Sequence, residues 1–292
     1  MNFSREFMIA LYALNGVGVK TYQKILKTLN ILEATESDFW VNKGDIWGKI
    51  PLNKNIEKSI YFFKKEYTSY SYSQFLLSKE IRVVFTKDQE YPKLLKQIDF
   101  PPPIIYVKGA FLNLNQPLAI VGTRHPTKYG IKVLEELVPS LAKTRTIVSG
   151  FMYGTDILAQ EIVLKVSGYT VGVLGFGFDA MYPASFKQKF TDFIANGASF
   201  ISPFAPNIQP RPGNFPARNL IVAGMSEGVC VIEAASQSGS LITARLAGEL
   251  GRDVWAVSGS IFNKFSRGTQ DLINQGAKMI CRPEDINNEF ML

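Results

Sequence analysis

Phe215-Pro216-Ala217-Arg218-Asn219, Gly228-Val-Cys-Val-Ile-Glu233 and Ser238-Gly239-Ser240-Leu241-Ile242-Thr243-Ala244-Arg245 follow one another in that order. The middle segment is a short apolar run and reads as a buried strand, while each flanking segment reads as the polar start of a helix beside a strand end. In an open α/β sheet that arrangement receives anions, because the first amides of a helix find no acceptor within it and point outward. Arg218 and Arg245 add charge suited to phosphate. No residue here is paired with a base as a nucleophile would be.

Outward from this segment the same alternation covers most of the chain. Strands are expected at 81–85, 104–107, 118–121, 146–148, 170–174, 200–202, 229–232, 254–257 and 278–280, with helices such as 129–142, 155–166 and 241–250 between many of them. Such alternation predicts an α/β fold with a mostly parallel, doubly wound sheet covered by helices on both faces. Before it, apolar residues recur at helical spacing, as in Phe7, Ala10, Leu11 and Leu14, and then Ile25, Leu26 and Leu29. A small all-α domain is therefore expected over 1–70, the sheet domain over 71–286 and a C-terminal stub over 287–292. The Ser/Tyr alternation of 67–73 is read as a linker.

Composition bounds the function. The 292 residues, 46% of them hydrophobic, suffice for a full core, and the net charge of +7 favours acidic partners. Cys230 and Cys281 lie far apart without a CxxC, which argues against a disulfide framework and a metal site. The apolar run 7–14 is too short for a membrane span and lacks a cleavage pattern, so a cytoplasmic protein without membrane association is expected.

The carboxyl ends of parallel strands share one edge, so the residues that follow them converge. Here they are small and polar: Gly122-Thr123-Arg124, Ser149-Gly150, Gly175-Phe176-Gly177, Ser238-Gly239-Ser240 and Ser258-Gly259-Ser260. A row of amides and hydroxyls suits a strand of phosphates better than one small molecule. Arg124, just after a buried strand, is expected to touch ligand, and Arg218 likewise, a salt bridge being its plainer role. Pro216 is expected to open the helix that carries Arg218. Phe215 is either a packing staple or a base-stacking ring. Asp156 and Glu233 are read as internal hydrogen-bond acceptors.

In the helical part, Leu14-Asn15-Gly16-Val17-Gly18-Val19-Lys20-Thr21 resembles a helix-hairpin-helix, whose glycines let a turn offer amides to nucleic acid phosphate. Gly16, Gly18, Lys20 and Thr21 are the candidate contacts, and a hairpin that only packs is the alternative.

Taken together, Ile120-Val-Gly-Thr-Arg124 with Tyr129-Gly130, Ser149-Gly150 with Gly154 and Asp156, Gly175-Phe-Gly177 with Asp179 and Tyr182-Pro183, Phe215-Pro-Ala-Arg218-Asn219, and Ser238-Gly-Ser240 with Thr243-Ala-Arg245 resemble the DNA-processing protein A family, also called DprA or Smf. The resemblance implies an extended Rossmann-like domain after a SAM-like helical one, needing no cofactor. It further implies sequence-independent binding of single-stranded DNA, homodimerisation, and loading of the RecA recombinase during natural transformation and recombination. DNA contacts are expected at Gly122, Thr123, Arg124, Ser149, Gly150, Gly175, Gly177, Phe215, Arg218, Asn219, Ser238, Gly239, Ser240, Thr243 and Arg245. Three positions depart from the family pattern: Tyr153 and Gln160 stand for an Arg and a His, and Leu220 for a second Arg. The winged-helix-like domain of longer members has no counterpart before Leu292.

Two other readings compete, an enzyme and a dinucleotide-binding protein. The fold also resembles nucleotide-cleaving phosphoribohydrolases, but aligning their motif on Thr243 puts Leu246 where the catalytic Glu belongs. Gly175-Phe-Gly177-Phe-Asp-Ala180 formally fits a dinucleotide fingerprint, yet Tyr182-Pro183 interrupts the helix that should follow. The only histidine is His125, which removes most His-based hydrolysis. No catalytic residue is therefore expected, with the phosphoribohydrolase-like enzyme as the alternative.

Overall fold

The computed structural model describes residues 3–50 and 52–287. It opens with helices α1 (Arg5–Ala13), α2 (Val19–Ile31), α3 (Glu36–Val41), α4 (Ile46–Lys49), α5 (Lys54–Glu66) and α6 (Ser69–Ser78). Strands follow as β1 (Arg82–Phe85), β2 (Ile104–Gly109), β3 (Leu118–Val121), β4 (Ile147–Ser149), β5 (Thr170–Val173), β6 (Ser199–Ser202), β7 (Gly228–Val231), β8 (Asp253–Val257) and β9 (Lys278–Ile280). Between and after them lie α7 (Lys128–Leu141), α8 (Thr155–Lys165), α9 (Lys187–Ala195), α10 (Asn214–Gly224), α11 (Gly239–Glu249), α12 (Arg267–Asn274) and α13 (Glu284–Asn287).

The strands form one sheet in the order β1-β2-β6-β5-β4-β3-β7-β8-β9. Neighbours from β6 to β9 in that order are parallel, and β2 is antiparallel to both β1 and β6. After β3 the chain steps outward through β4, β5 and β6, then returns to place β7 on the other side of β3. The order reverses between β3 and β7, so the loops leaving them diverge and open a crevice at the carboxyl edge.

Central strands read as unbroken apolar runs because helices cover both faces. In β3, Leu118 and Ile120 pack with Leu134 and Val138 of α7 and Ala159 and Val163 of α8. Ala119 and Val121 pack on the opposite face with Val222 of α10 and Ala244 and Ala247 of α11. This leaves the starts of α8, α10 and α11 around one crevice.

The segment read as a linker is instead helical. Thr68 and Ser71 form a capping box at the start of α6, and Tyr72 and Leu76 are buried at helical spacing. The boundary expected between 70 and 71 thus falls inside a helix. Phe7, Phe39, Ile60 and Tyr72 share a core with Phe85, Ile104 and Tyr106 of the antiparallel sheet edge, so the helices are seated on β1 and β2. Of the expected C-terminal stub, only Asn287 is described; 288–292 lie outside the described residues. Among the described residues no helix is long and apolar enough to cross a membrane.

Candidate functional site

The end of β3 is held from two sides. The Thr123 N–H donates to the Glu233 carbonyl at 2.7 Å, and the Thr155 N–H and hydroxyl both donate to the Thr123 carbonyl at 3.1 Å. Gly154 has φ of +80°, and a Cβ there would lie 2.5 Å from the Arg124 carbonyl, so only glycine lets α8 begin beneath the Arg124 turn. The turn leaves the Arg124 side chain exposed, and among the described residues no carboxylate pairs with it.

Arg218 is placed differently from the phosphate-facing role expected of it. It is 6% exposed. Its Nη1 donates to the Val173 carbonyl at 2.8 Å and to the Gly150 carbonyl, tying the ends of β5 and β4 together. Its Nε donates to Asn219 Oδ1 at 3.1 Å. Desolvation lowers its pKa, Asp156 opposes that effect, and Arg124 adds to it. Arg218 is the fixed floor of the site, and its exposed guanidinium neighbour at the rim is Arg124.

Asp156, in the first turn of α8, balances that floor. Burial raises its carboxyl to about 6, against the pull of Arg218 and of the Gly150 and Met152 N–H groups. A Cβ at Gly150 would come within 2.5 Å of Arg218 Nη1 and 2.6 Å of Asp156 Oδ2. The missing side chain at Gly150 thus leaves the space over the strand end that Arg218 and Asp156 share. The expectation that Asp156 is an internal acceptor agrees with its placement.

The starts of α10 and α11 form the opposite wall. Ser238 caps α11, its hydroxyl accepting the Ser240 N–H at 3.3 Å, and the Asn219 amide donates to the Gly239 carbonyl at 3.4 Å, binding the two helices together. Helix α10 starts at Asn214, two residues before Pro216. Pro216 is tolerated there because first-turn amides have no intrahelical acceptor. Phe215 is half-buried: a Cβ at Gly175 would lie 3.1 Å from its ring, and the Tyr182 ring stands 5.7 Å away, centroid to centroid. One side of the ring packs and the rest meets the opening.

These groups enclose a cleft of about 390 Å³. Gly122, Thr123, Arg124, Gly150, Phe215, Arg218, Asn219, Ser238, Gly239, Ser240 and Thr243 line it together, as the sequence motifs anticipate. Four expected contacts lie elsewhere. Ser149 is buried and donates to the Ile120 carbonyl at 2.6 Å. Gly175 lies beneath Phe215, and Gly177 is pressed against the Ala205 and Pro206 carbonyls. Arg245 points into a neighbouring depression between α11, β8, β9 and α12 and meets Glu249 one turn on at 3.6 Å.

The hairpin residues are not part of this cleft. Gly16 and Gly18 line a separate groove of about 370 Å³ on the other side of α10, beside Leu220. There Lys20 Nζ sits 4.6 Å from the centre of the Phe100 ring. Of the three family departures, only Tyr153 reaches the cleft: it is 44% exposed and hydrogen-bonds Ser185 at 2.8 Å. Gln160 is buried, donating to Thr170 at 3.0 Å, and Leu220 packs toward the sheet, so neither removes charge from the opening. Tyr153, His125 and Met152 also line the cleft; their signal in the sequence is position alone, shortly after β3 and β4.

Fold and site define a doubly wound α/β protein with a cleft at its topological switch point, lined by Arg124 and Arg218. The family model for DNA recombination-mediator protein A matches residues 82–291, and the chain belongs to that family. The DNA processing protein DprA of Bacillus subtilis (strain 168) is 40% identical over 213 residues, 72% of this chain and 71% of that one. Protein Smf of Synechocystis is 33% identical over 285 residues, 96% of this chain and 71% of its own. The X-ray structure of DprA from Streptococcus pneumoniae superposes with a TM-score of 0.80 at 31% identity, covering 99% of each chain. A Helicobacter pylori structure described for its single-stranded DNA binding mode gives 0.65 at 29% identity, over 73% of this chain and 96% of that one.

Proposed function

We propose that the cleft binds the sugar-phosphate backbone of single-stranded DNA without sequence preference. The protein then acts, as a cytoplasmic homodimer, to load a RecA recombinase in DNA uptake, natural transformation and recombination. The observation that carries the reading is Arg124, exposed and without a carboxylate partner among the described residues, lining one cleft with the start of α11 and a half-exposed Phe215. A cation beside the positive end of a helix dipole attracts phosphate, while the ring offers a face to any base. The single-strand binding reported for the Helicobacter pylori relative supports it.

A binding protein suits the cleft better than a nucleotide-cleaving enzyme. Asp156 is the one carboxylate lining the cleft among the described residues, and it interacts with Arg218 and backbone amides. Leu246 packs toward the sheet where the competing enzyme motif would need its Glu. Equilibrium binding to single-stranded and duplex oligonucleotides, run beside a nucleotide-hydrolysis assay, tests the proposal. Turnover that survives in Arg124→Ala and follows the protein through purification would overturn it.

A further inference from the structure

The loop after β8, Ser258-Gly259-Ser260-Ile261-Phe262-Asn263, leaves the same carboxyl edge as the cleft, one strand beyond β7. Phe262 is 93% exposed and Ile261 73%. Large apolar side chains gain free energy when removed from water, so a fixed pair held this far out invites an occupant.

The loop is held, not free. Tyr129 donates to the Ser258 carbonyl at 2.6 Å, Gln270 to the Gly259 carbonyl at 3.0 Å, and Asn263 to the Glu233 carboxylate at 3.1 Å. Glu233 also accepts from the Thr127 N–H at 2.8 Å, and its carbonyl accepts from the Thr123 N–H. Phe262 and Arg124 are therefore each one residue from a group anchored on Glu233. Lys128, Lys264 and Arg267 are exposed on the same three segments, and among the described residues none has a carboxylate partner.

We propose that Ile261 and Phe262 form a second stacking platform for the same single strand, receiving bases that pass Arg124 on leaving the cleft. This rests on the single-strand reading of the cleft. Charge selects the strand over a second copy of this chain. A two-fold contact through this loop would set Lys128, Lys264 and Arg267 against their own copies, whereas a polyphosphate neutralises them.

Binding of oligothymidylates from about 4 to about 30 nucleotides, bracketing common single-strand site sizes, tests the platform. Phe262→Ala should match wild type on the shortest strands and lose about tenfold on the longest, the effect of one lost stack. Phe262→Trp should restore the long-strand affinity. The ring is exposed, so the melting temperature of both variants should equal that of wild type. Equal affinity of Phe262→Ala and wild type at every length would overturn the platform and leave the cleft untouched. So would a dimer-to-monomer shift of Phe262→Ala in sedimentation without DNA, at unchanged long-strand affinity, which would assign the loop to a second copy. Failure of wild type to bind any single strand would overturn the cleft reading itself.

Discussion

Arg124 and Arg218 read alike in sequence, each an arginine beside a strand end or helix start, yet the fold gives them opposite duties. Arg124 is exposed and unpaired among the described residues, whereas Arg218 is spent on two carbonyls and Asp156. Arg124→Ala should therefore weaken single-strand binding equally for all sequences and flatten the log–log salt dependence by about 0.7, with the melting temperature unchanged. Arg218→Ala should instead cost on the order of 3 kcal/mol of stability, because it strands a buried carboxylate and two carbonyls. Denaturant titrations of both variants check the contrast. Asp156 gives a second test. Its folded pKa of about 6 lies above the ordinary value, so between pH 4 and 6 the folded state holds a proton that the unfolded state has released. Stability from this group is thus lost as pH rises through that window, by about 3 kcal/mol, and the loss is complete above it. The melting temperature of Asp156→Asn relative to wild type should climb from pH 4 to pH 7. A difference that stays flat would mean that the carboxyl titrates normally.

At the level of elements, the strands and the crossing helices are legible because their chemistry is local: β3 and β7 are apolar runs, and Gly/Ser punctuates each carboxyl end. The helix α6 is not, because a Ser/Tyr alternation mimics a strand or linker until Tyr72 and Leu76 find a core supplied by distant residues. The same limit applies to the site. Motif order places the lining residues together, but no local pattern tells that Gly177 faces a neighbouring loop or that Arg245 turns away along α11. Phe215 shows why staple and stacking ring could not be separated: at the start of α10 it does part of each, resting on Gly175 while facing the opening. Phe215→Ala should cost about 1–2 kcal/mol of stability, less than full burial would, and roughly 1–3 kcal/mol of single-strand binding. Phe215→Leu should recover the stability but not the affinity, and Phe215→Trp should keep most of the affinity. Melting and anisotropy on the same preparations separate the two effects.

Across the whole molecule, the sheet order explains why one cleft forms. The reversal between β3 and β7 parts two loops, α8 starts beneath one, and α10 and α11 start beside the other. The helical region closes the antiparallel edge, far along the sheet order from that reversal, and its hairpin turn faces a separate groove. The central claim is that the cleft takes a flexible phosphate chain with its bases free to stack. It is tested most directly by competition between single-stranded and duplex oligonucleotides of equal length and mixed sequence at several salt concentrations. Single strands should win at every salt concentration, with affinity independent of sequence and falling as salt rises. Duplex binding as tight as single-strand binding, or affinity indifferent to salt, would contradict the claim.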